Sequence, residues 1–134
     1  MGFSRRQIDT RIASGRWRFA APTVVDVAPA STDPRRPLHA AVLASRGLAS
    51  HDSAAALHGL IDTPPIRPQL LVPEGRIARG LTADVHRTRA LTRADRARVD
   101  AIACTSVLRT LLDLGSSVSE EALALALHRG LVAR

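Results

Sequence analysis

The sequence predicts an α+β protein, with a helix and a β-hairpin at its start and a small sheet packed with helices after them. The first observation is that short apolar runs typical of strands, such as residues 69–73, alternate with longer segments of helical periodicity. The second is that serines and glycines stand where helices begin and end. The third is size, since 134 residues, 46% of them hydrophobic, suffice for one compact domain with a small appendage.

The first predicted element is a helix over residues 4–15. Ser4 and Gln7 have the spacing of a capping box, in which each side chain bonds to the backbone amide of the other residue. Ile8 and Ile12 lie one turn apart and form a narrow apolar stripe. A glycine follows the last turn, as at many helix ends. The opposite face is polar and cationic, and it consists of Arg6, Gln7, Thr10 and Ser14, with Arg11 on its flank.

A β-hairpin with a basic flank is predicted over residues 16–27. Arg16 and Arg18 alternate with aromatic residues, which predicts a strand with one basic side and one inward-facing apolar side. A turn follows, and a run of valines returns as the second strand. A helix followed by such a hairpin is the second half of a winged helix, so we expect a partial winged-helix element at this end of the chain.

The remaining elements are predicted from caps, prolines and periodicity. Helices are expected at residues 38–47, 50–59, 106–114 and 119–129. Strands are expected at residues 69–73, 81–87 and 100–105. Three prolines make residues 61–68 a loop, and residues 87–99 show no clear pattern. The predicted units are the partial winged-helix element, a proline-rich linker and an α+β domain, over residues 1–28, 29–37 and 38–134.

The charge pattern favours a polyanionic partner. The formal net charge of +7 includes 19 basic residues, and all of them are arginine. These arginines cluster at residues 5–18 and 76–98. Because clustered guanidinium groups bind phosphate in bidentate fashion, polyanions are the first partners to test.

Several chemistries are excluded by residues that the sequence lacks. Without lysine there is no Walker P-loop, no Schiff base and no Ser-Lys dyad. A single cysteine leaves no intramolecular disulfide and fits a reducing cytoplasm. The five histidines show no chelating spacing. We therefore expect no cofactor, no metal site, no catalytic residue and no membrane-spanning segment.

Four other features have both a functional and a structural interpretation. The SHD motif at residues 50–52 contains the residue types of a catalytic triad, but sequence neighbours at a helix start cannot align as one. Helix capping by Ser50 or Asp52 is favoured instead. Arg109 and Asp113 are four residues apart, which favours an ion pair of the scaffold. Cys104 is expected to be a small buried hydrophobe. The second arginine cluster is either a phosphate-contacting surface or a solvated loop, and the loop is favoured.

Four motifs in order carry a resemblance to a known family. They are SRRQIDTRIASGRWR with APTVVDVAP, then ASHDSAAALHGL, VHRTRALTRADR and TSVLRTLLDL. In this order they resemble an actinobacterial group related to the AbiEi family of type IV antitoxins, whose longer members carry a very-short-patch-repair-like nuclease domain. The resemblance implies a winged helix that binds double-stranded DNA, often at its own promoter, and a following antitoxin-type α+β domain. It also implies a nucleotidyltransferase toxin as a partner, without a tight complex.

The chain departs from this group at three places. First, only three residues precede the capping box, where members of the group have further helices. Second, Thr23 and Val25 replace a glycine and a tyrosine of the group's hairpin. Third, the nuclease domain of the longer members does not follow. Two interpretations therefore stay open. One is a non-catalytic, DNA-binding, antitoxin-like transcriptional regulator of a toxin–antitoxin system. The other is a nuclease-less remnant of a DNA-repair-type endonuclease-like protein, acting as a structural or interaction domain.

The predicted DNA-contacting residues all lie in the first arginine cluster. They are Arg5, Arg6, Gln7, Thr10, Arg11, Ser14, Arg16 and Arg18. The residues expected to face base edges are Arg6, Gln7, Thr10 and Ser14. Those expected to hold phosphates are Arg11, Arg16 and Arg18. The alternative is that this face is only solvated.

Overall fold

The fold is taken from a computed structural model that describes residues 2–15, 18–21, 24–26, 33–76, 78, 80–116 and 119–132. Within these ranges the α-helices are α1 Arg5–Ala13, α2 Arg36–Ser45, α3 His51–Leu57, α4 Val107–Leu114 and α5 Glu120–Val132. The strands are β1 Arg18–Ala21, β2 Val24–Asp26, β3 Leu48–Ala49, β4 Gln69–Pro73, β5 Asp84–Thr88, β6 Arg96–Val99 and β7 Ile102–Thr105. A 3₁₀ turn spans Arg93–Asp95. The α+β class predicted from the sequence is confirmed.

The described strands form a two-stranded and a five-stranded sheet. The larger sheet has the order β5-β4-β3-β7-β6. β3 pairs with β4 and β6 pairs with β7 in antiparallel fashion, whereas β3 with β7 and β4 with β5 are parallel. Because β5 and β6 follow each other in sequence but lie at opposite edges, the segment that joins them must cross the sheet.

One face of the larger sheet carries the main core. The pairing register aligns Val85, Leu70, Ala49, Cys104 and Ala97 in one row across the five strands. This row packs in one cluster with the apolar faces of α2 and α3. A second cluster of buried side chains joins α3, α4 and α5, and its members are Ala55, Leu60, Leu114 and Ala126. The core is therefore built from alanine, leucine, valine and isoleucine, as the low aromatic content requires.

The first helix and the hairpin form where they were predicted. β1 and β2 pair in antiparallel fashion, and they contact α2. Residues 16–17, 22–23 and 27–32 lie outside the described residues, and they include the hairpin turn and the first four positions of the predicted linker. α2 begins at Arg36, which places the last two positions of the predicted linker inside this helix.

The end of α2 differs from the prediction for a physical reason. The sequence predicts that Gly47 ends this helix, but the helix ends at Ser45 and Arg46 takes the left-handed conformation, with φ of 55°. Gly47 instead permits close packing of the chain before β3. A Cβ there would lie 2.7 Å from both the carbonyl oxygen of Leu71 and Cγ1 of Val72. The sequence does not predict the two-residue strand β3, because so short a segment carries no periodicity.

The segment without a clear pattern contains the 3₁₀ turn and the edge strand β6. β6 returns into β7 through Asp100 and Ala101, whose φ angles of 49° and 68° are both positive. Two consecutive residues with positive φ are typical of the tight type I′ hairpin turn, which usually contains glycine or asparagine. Because alanine gives no turn signal, the sequence did not predict this hairpin.

The last two helices begin as predicted, but the second one ends later. The Ser106 hydroxyl caps α4 by accepting the Arg109 amide at 3.2 Å. The sequence predicts that Gly130 ends α5, yet α5 continues to Val132. Gly130 is buried, and a Cβ there would meet Leu60 and Val107 at 3.5 Å. These are ordinary van der Waals separations, so packing does not require glycine here, and Gly130 lies within the helix instead of ending it.

Candidate nucleic-acid interface

Helix α1 is capped as the sequence predicts and lies on the surface. The Ser4 amide donates to Oε1 of Gln7 at 2.8 Å, and the Gln7 amide donates to Oγ of Ser4 at 3.2 Å. Gly15 follows with φ of 79°, in the left-handed region that ends helices. No residue of α1 is buried. The helix is thus held by its own caps while most of its side chains meet solvent.

The polar side chains predicted to face bases are bonded to the backbone of α1 itself. The Thr10 hydroxyl donates to the Arg6 carbonyl oxygen at 2.8 Å, and the Ser14 hydroxyl donates to the Arg11 carbonyl oxygen at 3.0 Å. Since each hydroxyl has one proton, both oxygens are left as acceptors. In this conformation they suit the amino groups of adenine or cytosine in a major groove.

The first turn of α1 combines two sources of positive charge. It contains no acidic residue, so the positive end of the helix dipole is not compensated within that turn. Arg5 and Arg6 lie in the same turn, and neither forms an ion pair with any described residue. Arg11 differs, because its guanidinium donates to the Gln7 carbonyl oxygen at 3.2 Å and lies 4.6 Å from the centre of the Phe3 ring.

The hairpin arginines are described only in part. Arg18 begins β1, and Arg16 lies outside the described residues. The geometry therefore brings together Arg5, Arg6, Gln7, Thr10, Arg11 and Ser14 on one short helix. Their role in DNA contact stays a prediction.

The second arginine cluster is a loop only in part. Arg87 lies in β5, and Arg96 and Arg98 lie in β6; these are the two edge strands of the larger sheet. On the β5 side, Arg89 forms an ion pair with Glu74, and the Arg87 guanidinium donates to the Arg76 carbonyl oxygen at 3.5 Å. Strand formation separates the cluster into two basic edges, which have different neighbours.

Arg109 and Asp113 form the predicted ion pair, with 3.1 Å between Nε and Oδ1. The same guanidinium donates to the Ala90 carbonyl oxygen at 2.9 Å and lies 3.4 Å from a carboxylate oxygen of Asp95 and from the Thr88 hydroxyl. Arg109 thus contacts both ends of the segment that joins β5 to β6. This supports the scaffold interpretation.

An imidazole pair was not predicted from the sequence. The rings of His51 and His86 stack with centroids 3.9 Å apart, and His51 has a positive φ of 50°. Burial lowers the pKa of His51, and the facing His86 lowers it further. Since these residues come from α3 and β5, only the tertiary contact between those elements brings them together.

Ser50 occupies the N-cap position of α3 by its backbone, but its hydroxyl makes no capping bond. Its Oγ lies 2.9 Å from Nδ1 of His51 instead. Of the two predicted N-cap residues, Ser50 holds the position, but the side-chain capping bond expected there is not formed. The hydroxyl is fully buried, so the SHD motif presents no accessible nucleophile.

Cys104 is buried in the core, as predicted. Burial raises the pKa of its thiol to about 11, which keeps it protonated at neutral pH. Nε2 of His58 donates to the Thr105 carbonyl oxygen at 2.8 Å and lies 3.8 Å from the sulfur. A protonated thiol out of solvent behaves as a small hydrophobe rather than as a nucleophile.

Neither protein-family models nor curated protein sequences match this chain. Among the described residues, no group of three or more histidine, cysteine, aspartate or glutamate side chains is arranged to hold a metal ion. No helix in the described part of the chain has the length and apolar character needed to cross a bilayer. The exposed basic face of α1 is the candidate site, because its first turn contains no acidic residue and none of its residues is buried.

Proposed function

We propose that the protein is a non-catalytic, DNA-binding, antitoxin-like transcriptional regulator that acts in the cytoplasm. The observation that carries the proposal is the uncompensated positive first turn of α1. A helix N-terminus attracts phosphate through its free amides and its dipole. Arg5 and Arg6 add two exposed guanidinium groups to that end, without a carboxylate partner in the described residues.

The arrangement of α1 suits a duplex rather than a small anion. Its polar face presents hydroxyl acceptors one turn apart, at Thr10 and Ser14, which matches the scale of base edges in a major groove. Its N-terminal arginines suit the backbone phosphates that fix the orientation of a recognition helix. The expected ligand is double-stranded DNA, with the upstream region of the protein's own gene as the first sequence to test.

The partner toxin belongs to the proposal through the resemblance described above. A regulator of this kind would act beside a nucleotidyltransferase toxin without forming a tight complex with it. The proposal gives no catalytic role to any residue. This agrees with the neutral, buried state of Cys104 and the enclosed hydroxyl of Ser50.

A salt titration of DNA binding tests the proposal. The logarithm of the association constant should fall with the logarithm of salt concentration, with a slope near −0.9 per phosphate contact, or roughly −3.6 for four contacts. The double substitution of Arg5→Gln and Arg6→Gln should make that slope less steep by about 1.8. The matched control replaces Arg67 and Arg129, which are paired with Asp84 and Asp62, and should leave the slope nearly unchanged.

Sequence preference is tested separately with Thr10→Val. This substitution removes the acceptor oxygen but keeps the shape, so it should narrow the affinity difference between the upstream region and random DNA. The proposal is wrong if the parent protein binds no duplex, or if the α1 double variant and the control lose the same amount of slope.

A further inference from the structure

Three exposed arginines lie along the free edge of the larger sheet. Arg96 and Arg98 alternate in β6 with the half-buried Ala97 and Val99, so the two arginines share one face of the strand. Residues two apart on a strand are separated by about 6–7 Å, which is comparable with the separation of successive phosphates along a nucleic-acid backbone. Arg93 lies in the 3₁₀ turn just before this strand. These three residues, Arg93, Arg96 and Arg98, are called the β6 arginine row.

The carboxylates nearest to the row in sequence are bonded elsewhere. The carboxylate of Asp95 accepts the Thr92 amide at 2.8 Å and lies 3.4 Å from the Arg109 guanidinium. The carboxylate of Asp100 pairs with Arg35 at the start of α2. The stretch therefore presents more positive charge to solvent than its sequence suggests.

The arginines of the row have few contacts of their own. Arg98 donates to the Ala101 carbonyl oxygen at 3.3 Å, and a carbonyl oxygen does not neutralise its charge. Neither Arg93 nor Arg96 forms an ion pair with a described residue. All three are exposed, and no described strand pairs with the outer side of β6.

The opposite edge of the sheet provides an internal comparison. There, Arg89 is paired with Glu74, and the Arg87 guanidinium is bonded to a backbone carbonyl oxygen of the neighbouring loop. The two edges thus carry similar numbers of arginines. Among the described residues, Glu74 pairs with an arginine of the β5 edge itself, whereas the carboxylates beside β6 pair with Arg35 and Arg109, which lie outside the row. This difference is what singles out the β6 edge.

We propose that the β6 arginine row is a second phosphate-contacting surface, which holds the backbone of double-stranded DNA. The inference rests on the proposed function, because it takes double-stranded DNA as the ligand. Contacts of this kind carry charge but no base pattern, so the row adds affinity for every sequence alike. Its contribution is separable from that of α1, since it lies on a different element.

The experiment compares two double variants of the full chain on one DNA duplex. Arg96→Gln with Arg98→Gln should make the salt slope less steep by about 1.8, because two phosphate contacts are lost. Between 50 mM and 200 mM salt, the parent should then lose about tenfold more affinity than this variant. Arg87→Gln with Arg89→Gln removes the same charge from the opposite edge, and it should change the slope much less. Equal urea midpoints for the three proteins show that the exposed substitutions leave the fold intact.

The outcomes separate this inference from the proposed function. If the two edge variants change the slope equally, the effect is one of net charge and the β6 row is not a contact surface. If the α1 variant loses slope while the β6 variant keeps it, the proposed function stands and the row is excluded. If the β6 variant loses slope while the α1 variant keeps it, the row stands and α1 is excluded as the DNA contact. A parent protein that binds no duplex overturns both.

Discussion

Replacing Arg109 with methionine is expected to destabilise the protein by about 2–4 kcal/mol. The substitution removes the ion pair with Asp113 and the hydrogen bonds that join α4 to the segment between β5 and β6. The side chains of Arg109 and Asp113 are only 18% and 15% exposed. Breaking a buried ion pair from one side typically costs about 3–5 kcal/mol, and the residual exposure of this pair places the expected value near the lower end.

The free energy of unfolding should fall substantially because Asp113 is left without its ion-pair partner. One of its carboxylate oxygens is buried and already lacks a hydrogen-bond partner among the described residues. Without Arg109 the other oxygen loses its donor as well, so a charged group stays in a poorly solvated place. Adding Asp113→Leu to the methionine variant should therefore recover part of the lost free energy of unfolding.

The measurement is equilibrium unfolding in urea. With an m-value of about 2 kcal/mol per molar urea, the midpoint should fall by roughly 1–2 M. The control is Arg89→Met, whose side chain is 86% exposed and whose ion pair with Glu74 should contribute less than about 1 kcal/mol. Equal midpoints for the two methionine variants, or a double variant less stable than Arg109→Met alone, would show that the contacts of Arg109 do not stabilise the fold as proposed.

Three further predictions concern the backbone and one titrating group. Ala101→Gly should raise the free energy of unfolding by up to about 1 kcal/mol in urea titrations, because glycine adopts positive φ without the cost that alanine bears; a loss of stability would contradict the turn geometry. Gly47→Ala should lower the midpoint of thermal unfolding, because the added Cβ would lie 2.7 Å from the carbonyl oxygen of Leu71. The expected destabilisation is about 1–3 kcal/mol. An unchanged midpoint would argue against this close packing. The pKa of His51 is lower in the folded protein than its ordinary value of 6.5, so folding favours the neutral imidazole. The free energy of unfolding is therefore highest above pH 6.5 and falls as the pH drops below that value. His51→Asn, which tolerates positive φ and cannot be charged next to His86, should lose less stability than the parent between pH 7.5 and pH 5.5.

The sequence by itself determined the elements that local interactions specify. The capping box of Ser4 and Gln7 consists of two bonds within one helical turn, and the serine before α4 forms one such bond. Because these bonds join residues three apart, residue spacing is sufficient to predict them. The apolar run of β4 predicts its strand with the correct bounds. The exposed basic face of α1 also follows from periodicity alone, because only two isoleucines form its apolar stripe. Which of its polar donors are already bonded to the helix backbone could not be predicted.

The tertiary structure decided everything that depends on which distant segments meet. Gly47 and Gly130 both look like helix ends in the sequence, but Gly47 lies after α2 at a close approach to Leu71, and Gly130 lies within α5. No local pattern distinguishes these places. The stacking of His51 on His86 requires α3 to meet β5. The arginines of residues 76–98 look like one cluster in sequence, but the order of the strands assigns them to opposite edges and the ion pairs neutralise one edge more than the other. The physical reason is that strand pairing and ion pairing join residues far apart in the chain, whereas caps and periodicity act within a few residues.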